Sequence, residues 1–260
     1  ETAYQVGVGG NKQLGDSVWL RIDANTYGSD GYVDRMDSES NNVTASLLWE
    51  ASENFKVEIQ ADYLDDSLAD YWGTPLVPKT SAGSPLGGVV STSFGETVDA
   101  RARFRNFNVS DSVAVSDQSL FRADLTWEVS DNIQLQNTTY RFSADRDWEN
   151  AEGYVYCTNV VGVCTEKGVI QHYYGYFFVT HDQELLGNRF TANLNHQIGG
   201  RENRLVAGFE ITDLDFSRAR GFRRRIPLAA SDSVDPLTPI PGSYGRRELR
   251  GISPTEIDTR

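Results

Sequence analysis

The sequence predicts an all-β chain, an antiparallel up-and-down meander whose strands cross a membrane as part of a β-barrel. Three observations carry this expectation. Two nine-residue stretches, Leu47-Leu-Trp-Glu-Ala-Ser-Glu-Asn-Phe55 and Leu125-Thr-Trp-Glu-Val-Ser-Asp-Asn-Ile133, are near copies of each other. Apolar and polar residues alternate with period two through much of the chain, and helical periodicity does not appear. The connections between these alternating segments run short, then long, then short again.

Taken in order, a weak strand is expected near 3–9, followed by a short connection at 10–16. In 18–26, Val18, Leu20, Ile22 and Ala24 share one face, and Trp19, Arg21, Asp23 and Asn25 share the other. A long connection at 29–38 leads to 43–49, where Val43, Ala45, Leu47 and Trp49 are aligned. After a short turn at 51–54, Phe55, Val57, Ile59, Ala61 and Tyr63 oppose Lys56, Glu58, Gln60 and Asp62. The longest connection, 65–117, precedes Phe121, Ala123, Leu125 and Trp127, which alternate with Arg122, Asp124 and Thr126. A short turn at 129–132, a weak strand at 133–144 and a long connection at 145–184 follow. Two further strands, near 190–198 and 205–212, flank a short turn at 199–203, and a long connection spans 217–254.

In an up-and-down meander every second connection falls at the same end. All short turns then share one end and all long loops the other, which is the layout of outer-membrane barrels with short periplasmic turns and long extracellular loops. A soluble β-sandwich writes the same alternation with its apolar side inward, but loops of about forty to fifty residues are uncommon in compact soluble domains. All eight prolines fall in the long connections, where they delete no ladder hydrogen bond. Trp49 and Trp127 hold the last apolar-face position before a short turn, as a membrane-interface girdle would. Two core tryptophans capping a sandwich are the plainer alternative.

Composition limits the function classes. Among the 260 residues 39% are hydrophobic, 11% are aromatic, and Met occurs once, a mixture that favours strands. A net charge of −13 argues against nucleic-acid binding. No window approaches the roughly 18 apolar residues of a transmembrane helix, which does not bear on barrels. The chain opens on Glu1 and stops at Arg260 in mid-pattern, so an internal piece of a longer protein is expected. Cys157 and Cys164 lie in one loop, suiting a small disulfide in an oxidising compartment, with free thiols as the alternative.

Several stretches resemble the barrel domain of TonB-dependent outer-membrane receptors, in particular the siderophore-receptor branch. They are Gly15-Asp-Ser-Val-Trp-Leu-Arg-Ile-Asp-Ala24 with Ser29-Asp-Gly-Tyr32, Trp49-Glu-Ala-Ser-Glu-Asn54 leading into Val57-Glu-Ile-Gln-Ala-Asp-Tyr63, Asp70-Tyr-Trp-Gly-Thr-Pro75, Asn137-Thr-Thr-Tyr140 through Trp148, and His181-Asp-Gln-Glu-Leu-Leu-Gly-Asn-Arg189. The resemblance rests on their order and spacing. It implies that residues 1–260 are a partial barrel domain, about eight strands and the start of another from a barrel of typically about 22. The plug domain and the C-terminal strands would lie outside this chain. It also implies active uptake of a ferric siderophore driven through the TonB energy-transducing protein, in the outer membrane of a Gram-negative bacterium, among lipid and lipopolysaccharide. A passive porin-like barrel, a receptor for cobalamin, haem or a glycan, and a soluble carbohydrate-binding β-sandwich are the alternatives.

Candidate ligand-binding residues follow from charge and shape. The 217–254 segment carries Arg218, Arg220, Arg223, Arg224, Arg225, Arg246, Arg247 and Arg250 against Asp232, Asp235 and Glu248, a balance of 8 − 3 = +5 within an acidic chain. Guanidinium forks suit carboxylate and phenolate chelates; lipopolysaccharide phosphates or acidic neighbouring loops are the alternative partners. Tyr71 and Trp72, with Tyr173, Tyr174, Tyr176, Phe177 and Phe178, place aromatics in or beside long loops, where loop packing is the favoured role. Charges opposite the apolar positions, including Arg21, Asp23, Lys56, Glu58, Asp62, Arg122 and Asp124, are expected to form ion-pair ladders across strands. Asp65, Asp66 and Asp70 are expected as a solvated acidic loop cluster without calcium-site spacing. His172, His181 and His196 lack metal-ligand spacing, no catalytic triad is placed, and no cofactor or enzymatic activity is expected.

Overall fold

A computed structural model describes residues 2–151, 153–172, 176–223, 233–240, 242 and 255–259, with side chains of all but 176, 222, 223 and 255–259. Its main sheet contains nine strands among the described residues, in the order β1 (Ala3–Gly15), β2 (Val18–Ser29), β3 (Ser38–Ser52), β4 (Phe55–Ser67), β7 (Val113–Ser130), β8 (Ile133–Ala151), β11 (Tyr176–Ile198), β12 (Arg201–Arg223) and β14 (Thr255–Thr259). Every neighbouring pair is antiparallel and sequential, the up-and-down meander that the alternation predicts. Short β5 (Val77–Pro78) and β6 (Glu96–Thr97) pair within one loop. A separate sheet joins β13 (Ser233–Val234), β10 (Ile170–His172) and β9 (Tyr154–Tyr156).

The repeated nine-residue stretch is one turn built twice. The register slips between Glu50 and Ser52 and again between Glu128 and Ser130, so each copy carries a bulge two residues after its tryptophan. A third slip, between Gln13 and Gly15, sits beside the first turn. A bulge tightens the local twist and lets a two-residue turn close, which explains why Trp-Glu-x-Ser recurs with its spacing intact. The fourth turn uses Gly199 and Gly200 at φ 59° and 75°, left-handed values that suit a two-glycine hairpin.

The long strands outrun their apolar stretches, which corrects several expected boundaries. β1 continues through 10–15, where a connection is expected, because its backbone stays paired with β2 from Asn11 opposite Arg21 to Gly15 opposite Val18. β8 extends to Ala151, β11 begins at Tyr176, and β12 runs to Arg223. The expected loops at 145–184 and 217–254 are therefore shorter. Polar residues occupy both faces over most of these extensions and apolar residues occupy both at 177–179, so hydrophobic alternation fades while the backbone ladder continues. Asp65 and Asp66 likewise end β4 and do not belong to a loop.

Among the described residues no second layer lies against the apolar face of the sheet. Leu125, Phe209 and Ile211 are 37%, 57% and 67% exposed, and Leu20 and Ile59 are half-buried. Buried apolar clusters form elsewhere, from Val77, Ala102, Phe107, Ile170 and Val234 in the long loops, and from Val109 and Ala151 where a loop meets β8. The polar face is concave near the turns, enclosing about 520 Å³ beside Asn11, Trp19, Arg21, Leu48, Glu58 and Gln60.

Candidate functional site

The long loops join into a roof over one end of the wall. Arg35 reaches from the 30–37 loop into the 68–112 loop, where its guanidinium donates to the carbonyls of Asn106 at 2.8 Å, Asn108 at 3.1 Å and Val109 at 3.3 Å. Asn106 returns its amide to Arg35 O at 3.3 Å and to Asp70 O at 3.2 Å. Asp34 and Arg105 add an ion pair at 2.7 Å. Burial pulls the Arg35 pKa below its ordinary value, opposed by Tyr154 and Asp34. Within the 68–112 loop, Asp99 is nearly buried and accepts from Arg101 at 2.7 Å and Gly83 N at 2.8 Å. The Arg101 contact, with these amides, holds the Asp99 carboxyl well below the usual range.

The 152–175 loop is tied to both neighbours. Cys157 and Cys164 are bonded, S–S 2.00 Å, and the Cys157 backbone pairs with Val169 and Gly168. His172 Nε2 meets Phe107 O at 2.7 Å, and β13 of the last loop adds beside β10. Tyr154 is packed among Phe107 and His172, and burial pushes its phenol far above the ordinary pKa. A cavity of about 220 Å³ remains inside this roof, lined by Val77, Arg101, Phe107, Tyr156, Ile170 and Leu237.

Beneath the roof, the polar face carries a basic and aromatic patch. The register sets Ser116, Arg146, His181 and Arg218 side by side on β7, β8, β11 and β12. The next row toward the loops places Trp148, Val179 and Arg220 together. Trp148 packs edge-on against Phe177 at 5.6 Å, with Arg146 over the indole at 5.8 Å and Arg220 over Phe177 at 4.9 Å. His181 faces Phe216 at 5.5 Å. Arg218 Nε is buried and meets no acceptor among the described residues. Such a surface offers guanidinium donors beside flat π faces, the chemistry that suits an anionic aromatic or carboxylate-bearing ligand.

The expected site residues divide. Trp72 packs at a tilt against Trp148, ring centroids 6.2 Å apart, so its loop meets the patch, whereas Tyr71 pairs with Thr74 at 2.7 Å. Arg218 and Arg220 sit on β12 and not in a loop. Arg223 ends that strand with its side chain outside the described residues, and Arg224, Arg225, Tyr173 and Tyr174 lie outside them altogether. Arg146 and Trp148 were hidden within a segment read as loop, although even-numbered spacing through 146 and 148 places both on the face of Tyr140 and Phe142.

Three ion pairs of the polar wall run along strands and not across them, contrary to expectation. Arg21–Asp23, Lys56–Glu58 and Arg122–Asp124 each close at 2.6 Å. The register explains the first and last: Arg21 lies between Asn11 and Ser46, and Arg122 lies between Gln60 and Tyr140, so the nearest counter-charge is two residues along the same strand. Lys56 pairs with Glu58 although Glu50 stands opposite it. Asp124 also accepts from Thr138 of the neighbouring strand at 2.6 Å.

No family model matches the sequence, and no curated protein matches it either. Solved structures do. The outer-membrane ferripyoverdine receptor of Pseudomonas aeruginosa aligns at a TM-score of 0.69 with 14% identity, covering 98% of this chain and 31% of that one. The ferric-catecholate import receptor Fiu of E. coli K12 aligns at 0.68 with 13% identity, over 98% and 36%. The siderophore receptor PiuA of Acinetobacter baumannii aligns at 0.67 with 12% identity, over 98% and 35%. The chain spans about a third of the length of these receptors. Its fold is the barrel wall that they share.

Proposed function

We propose that this chain is part of the barrel of a TonB-dependent outer-membrane receptor that takes up a ferric siderophore. The observation carrying this reading is the row of Arg146, His181 and Arg218, flanked by Trp148 and Phe177, on the polar face below a roof of joined loops. An anionic chelate entering through the roof would exchange water for guanidinium donors and stack on indole. Arg218, whose Nε has no acceptor among the described residues, is the first contact. No bond is made or broken in the ligand. A plug domain and the TonB partner, both outside this chain, would gate passage.

Membrane geometry supports the reading. The ten residue steps from Phe55 to the acidic row at Asp65 on β4 cover roughly 33 Å of strand and roughly 25 Å across a bilayer at the usual tilt. Above it, Asp65, Asp117, Asp145 and Asp182 form one register row over four neighbouring strands, too costly for hydrocarbon and suited to the outer headgroup region. Below it, Trp49 and Trp127 would form the inner girdle.

The test is uptake and binding by the intact protein in iron-starved cells supplied with a panel of ferric catecholates, hydroxamates and carboxylates. Arg218→Ala should weaken binding of the cognate chelate by about tenfold to a hundredfold, the scale of one charge-assisted hydrogen bond. If no ferric chelate binds, while cobalamin, haem or a glycan does, the siderophore reading falls and the barrel reading stands.

A further inference from the structure

The basic row below the roof lies on a stretch of the polar face that holds no carboxylate. Arg146, His181 and Arg218 are register neighbours on β8, β11 and β12. The next row toward the roof is Trp148, Val179 and Arg220, and Trp72 reaches it from the 68–112 loop. The next row toward the turns is Ala144, Gln183 and Phe216, and an apolar row of Leu120, Phe142, Leu185 and Leu214 follows. Among the described residues of β7, β8, β11 and β12, the first carboxylates on this face are Asp124 and Glu210. Glu210 lies eight residues from Arg218 along β12, roughly 27 Å, and already accepts from Tyr140. Asp66 ends the basic row on β4, three strand spacings from His181, roughly 14 Å. Both separations exceed the screening length of about 8 Å in physiological salt. Asp145, Asp147 and Asp182 belong to the same strands but stand on the outward face. Neither Arg146 nor Arg218 forms an ion pair among the described residues.

His181 is the member of this row whose charge changes near neutral pH. It faces Arg146 on one side and Arg218 on the other, and its ring packs against Phe216 at 5.5 Å. It lies one residue on the roof side of Asp182, outside the hydrocarbon span. Burial, and then the charges of Arg146 and Arg218, hold its imidazole below the ordinary pKa. In the ligand-free row an imidazolium is a third like charge with nothing on its face to offset it. An anion seated between the guanidiniums reverses that balance, since an opposite charge at contact range raises the pKa of a cationic group by about 1–3 units. We propose that His181 contacts the ligand as an imidazolium, so that an anionic chelate and one proton enter the site together. The inference rests on the receptor reading above and adds a pH control to that same site. Protonation and binding are reciprocal: a ligand that draws a proton onto His181 binds more tightly where protons are abundant. The bound-state pKa lies above the free one, so affinity is highest below the free pKa and falls as pH rises through the bound one. One unit between them corresponds to about tenfold in affinity.

The test uses the intact protein in detergent at constant ionic strength, with pyrene tetrasulfonate as the probe. Its sulfonates stay ionised throughout, so any pH dependence comes from the protein. Fluorescence anisotropy should show binding about tenfold tighter at about pH 6 than at about pH 8. Calorimetry of the wild-type protein, in buffers of different ionisation enthalpy, should record uptake of about half a proton or more near neutral pH. His181→Gln should abolish both effects, whereas His196→Gln, exposed beside the last turn, should keep them. Unboiled electrophoretic migration shows that each variant is a folded barrel, and the wild-type calorimetry stands without any variant. A probe that does not bind, equal affinity at the two pH values, or a pH dependence that survives His181→Gln would each overturn the proton coupling. The receptor reading falls separately, if no ferric chelate of the panel above binds at either pH.

Discussion

Arg35 occupies a left-handed backbone position at φ 58°, the only residue other than glycine to do so among the described residues. Its guanidinium meets three carbonyl oxygens of another loop, which accounts for a strained backbone being held there. Replacing it separates the two effects. Arg35→Ala should loosen 104–109 by about 1–3 kcal/mol, because carbonyls that it solvated lose their donor. Arg35→Gly should be milder than alanine by about 1 kcal/mol, since glycine accepts that backbone. Hydrogen exchange at Asn108 N and Val109 N measures both. If alanine and glycine behave alike, the backbone is not strained. Asp99 gives a pH test at the same scale. Its pKa is depressed in the folded loop by Arg101 and two amides, so the stability it contributes is full above the unfolded carboxyl pKa of about 4 and is lost as pH falls below that value. Exchange protection at Gly83 and Arg101 should therefore weaken on acidification, and Asp99→Asn should abolish that dependence. At this scale the sequence was a poor guide, because the partners of Arg35 and the Gly83 amide that meets Asp99 lie in other turns of loop with no periodic signal.

At the scale of the strand, alternation was the legible feature. The apolar sets at 18–24, 43–49, 55–63 and 121–127 stand on one face, as read, because side chains in a strand alternate whatever the register. The strand ends were not legible, since residues that are polar on both faces, or apolar on both as at 177–179, carry no period. The direction of the ion pairs was missed as well, because it depends on which residues stand opposite. The two faces make a paired prediction. Leu125→Arg, on the apolar face, should destabilise the intact barrel in bilayers by about 2–4 kcal/mol, whereas Thr126→Arg, on the polar face, should change it by about 0.5 kcal/mol or less. Urea unfolding in lipid reads the difference. Equal losses would mean that the apolar side does not meet lipid.

For the molecule as a whole, wall and roof are held by different means. Among the described residues the wall has continuous backbone ladders and no buried apolar cluster away from its loop ends, whereas the roof has a small apolar cluster, the Arg35 contacts and a disulfide. The bond closes a loop with a sequence separation of 7, which by the chain-entropy estimate contributes about 2 kcal/mol to the roof. Reduction should raise exchange at Cys157 N and Gly168 N and leave the exchange of β3 and β4 unchanged. If the wall loosens too, roof and wall unfold together.

By itself, the sequence determined that the chain is a meander of strands, the two faces of the periodic segments, and the tight polar turns repeated after Trp49 and Trp127. Those features follow from local chemistry: a period of two, a turn that needs its polar residues, and proline kept out of ladders. Only the tertiary structure decided that Arg146, His181 and Arg218 form one row, that Trp72 reaches Trp148, and that the roof closes on Arg35. Register and loop docking join residues tens of positions apart, and no local pattern encodes which partner stands opposite.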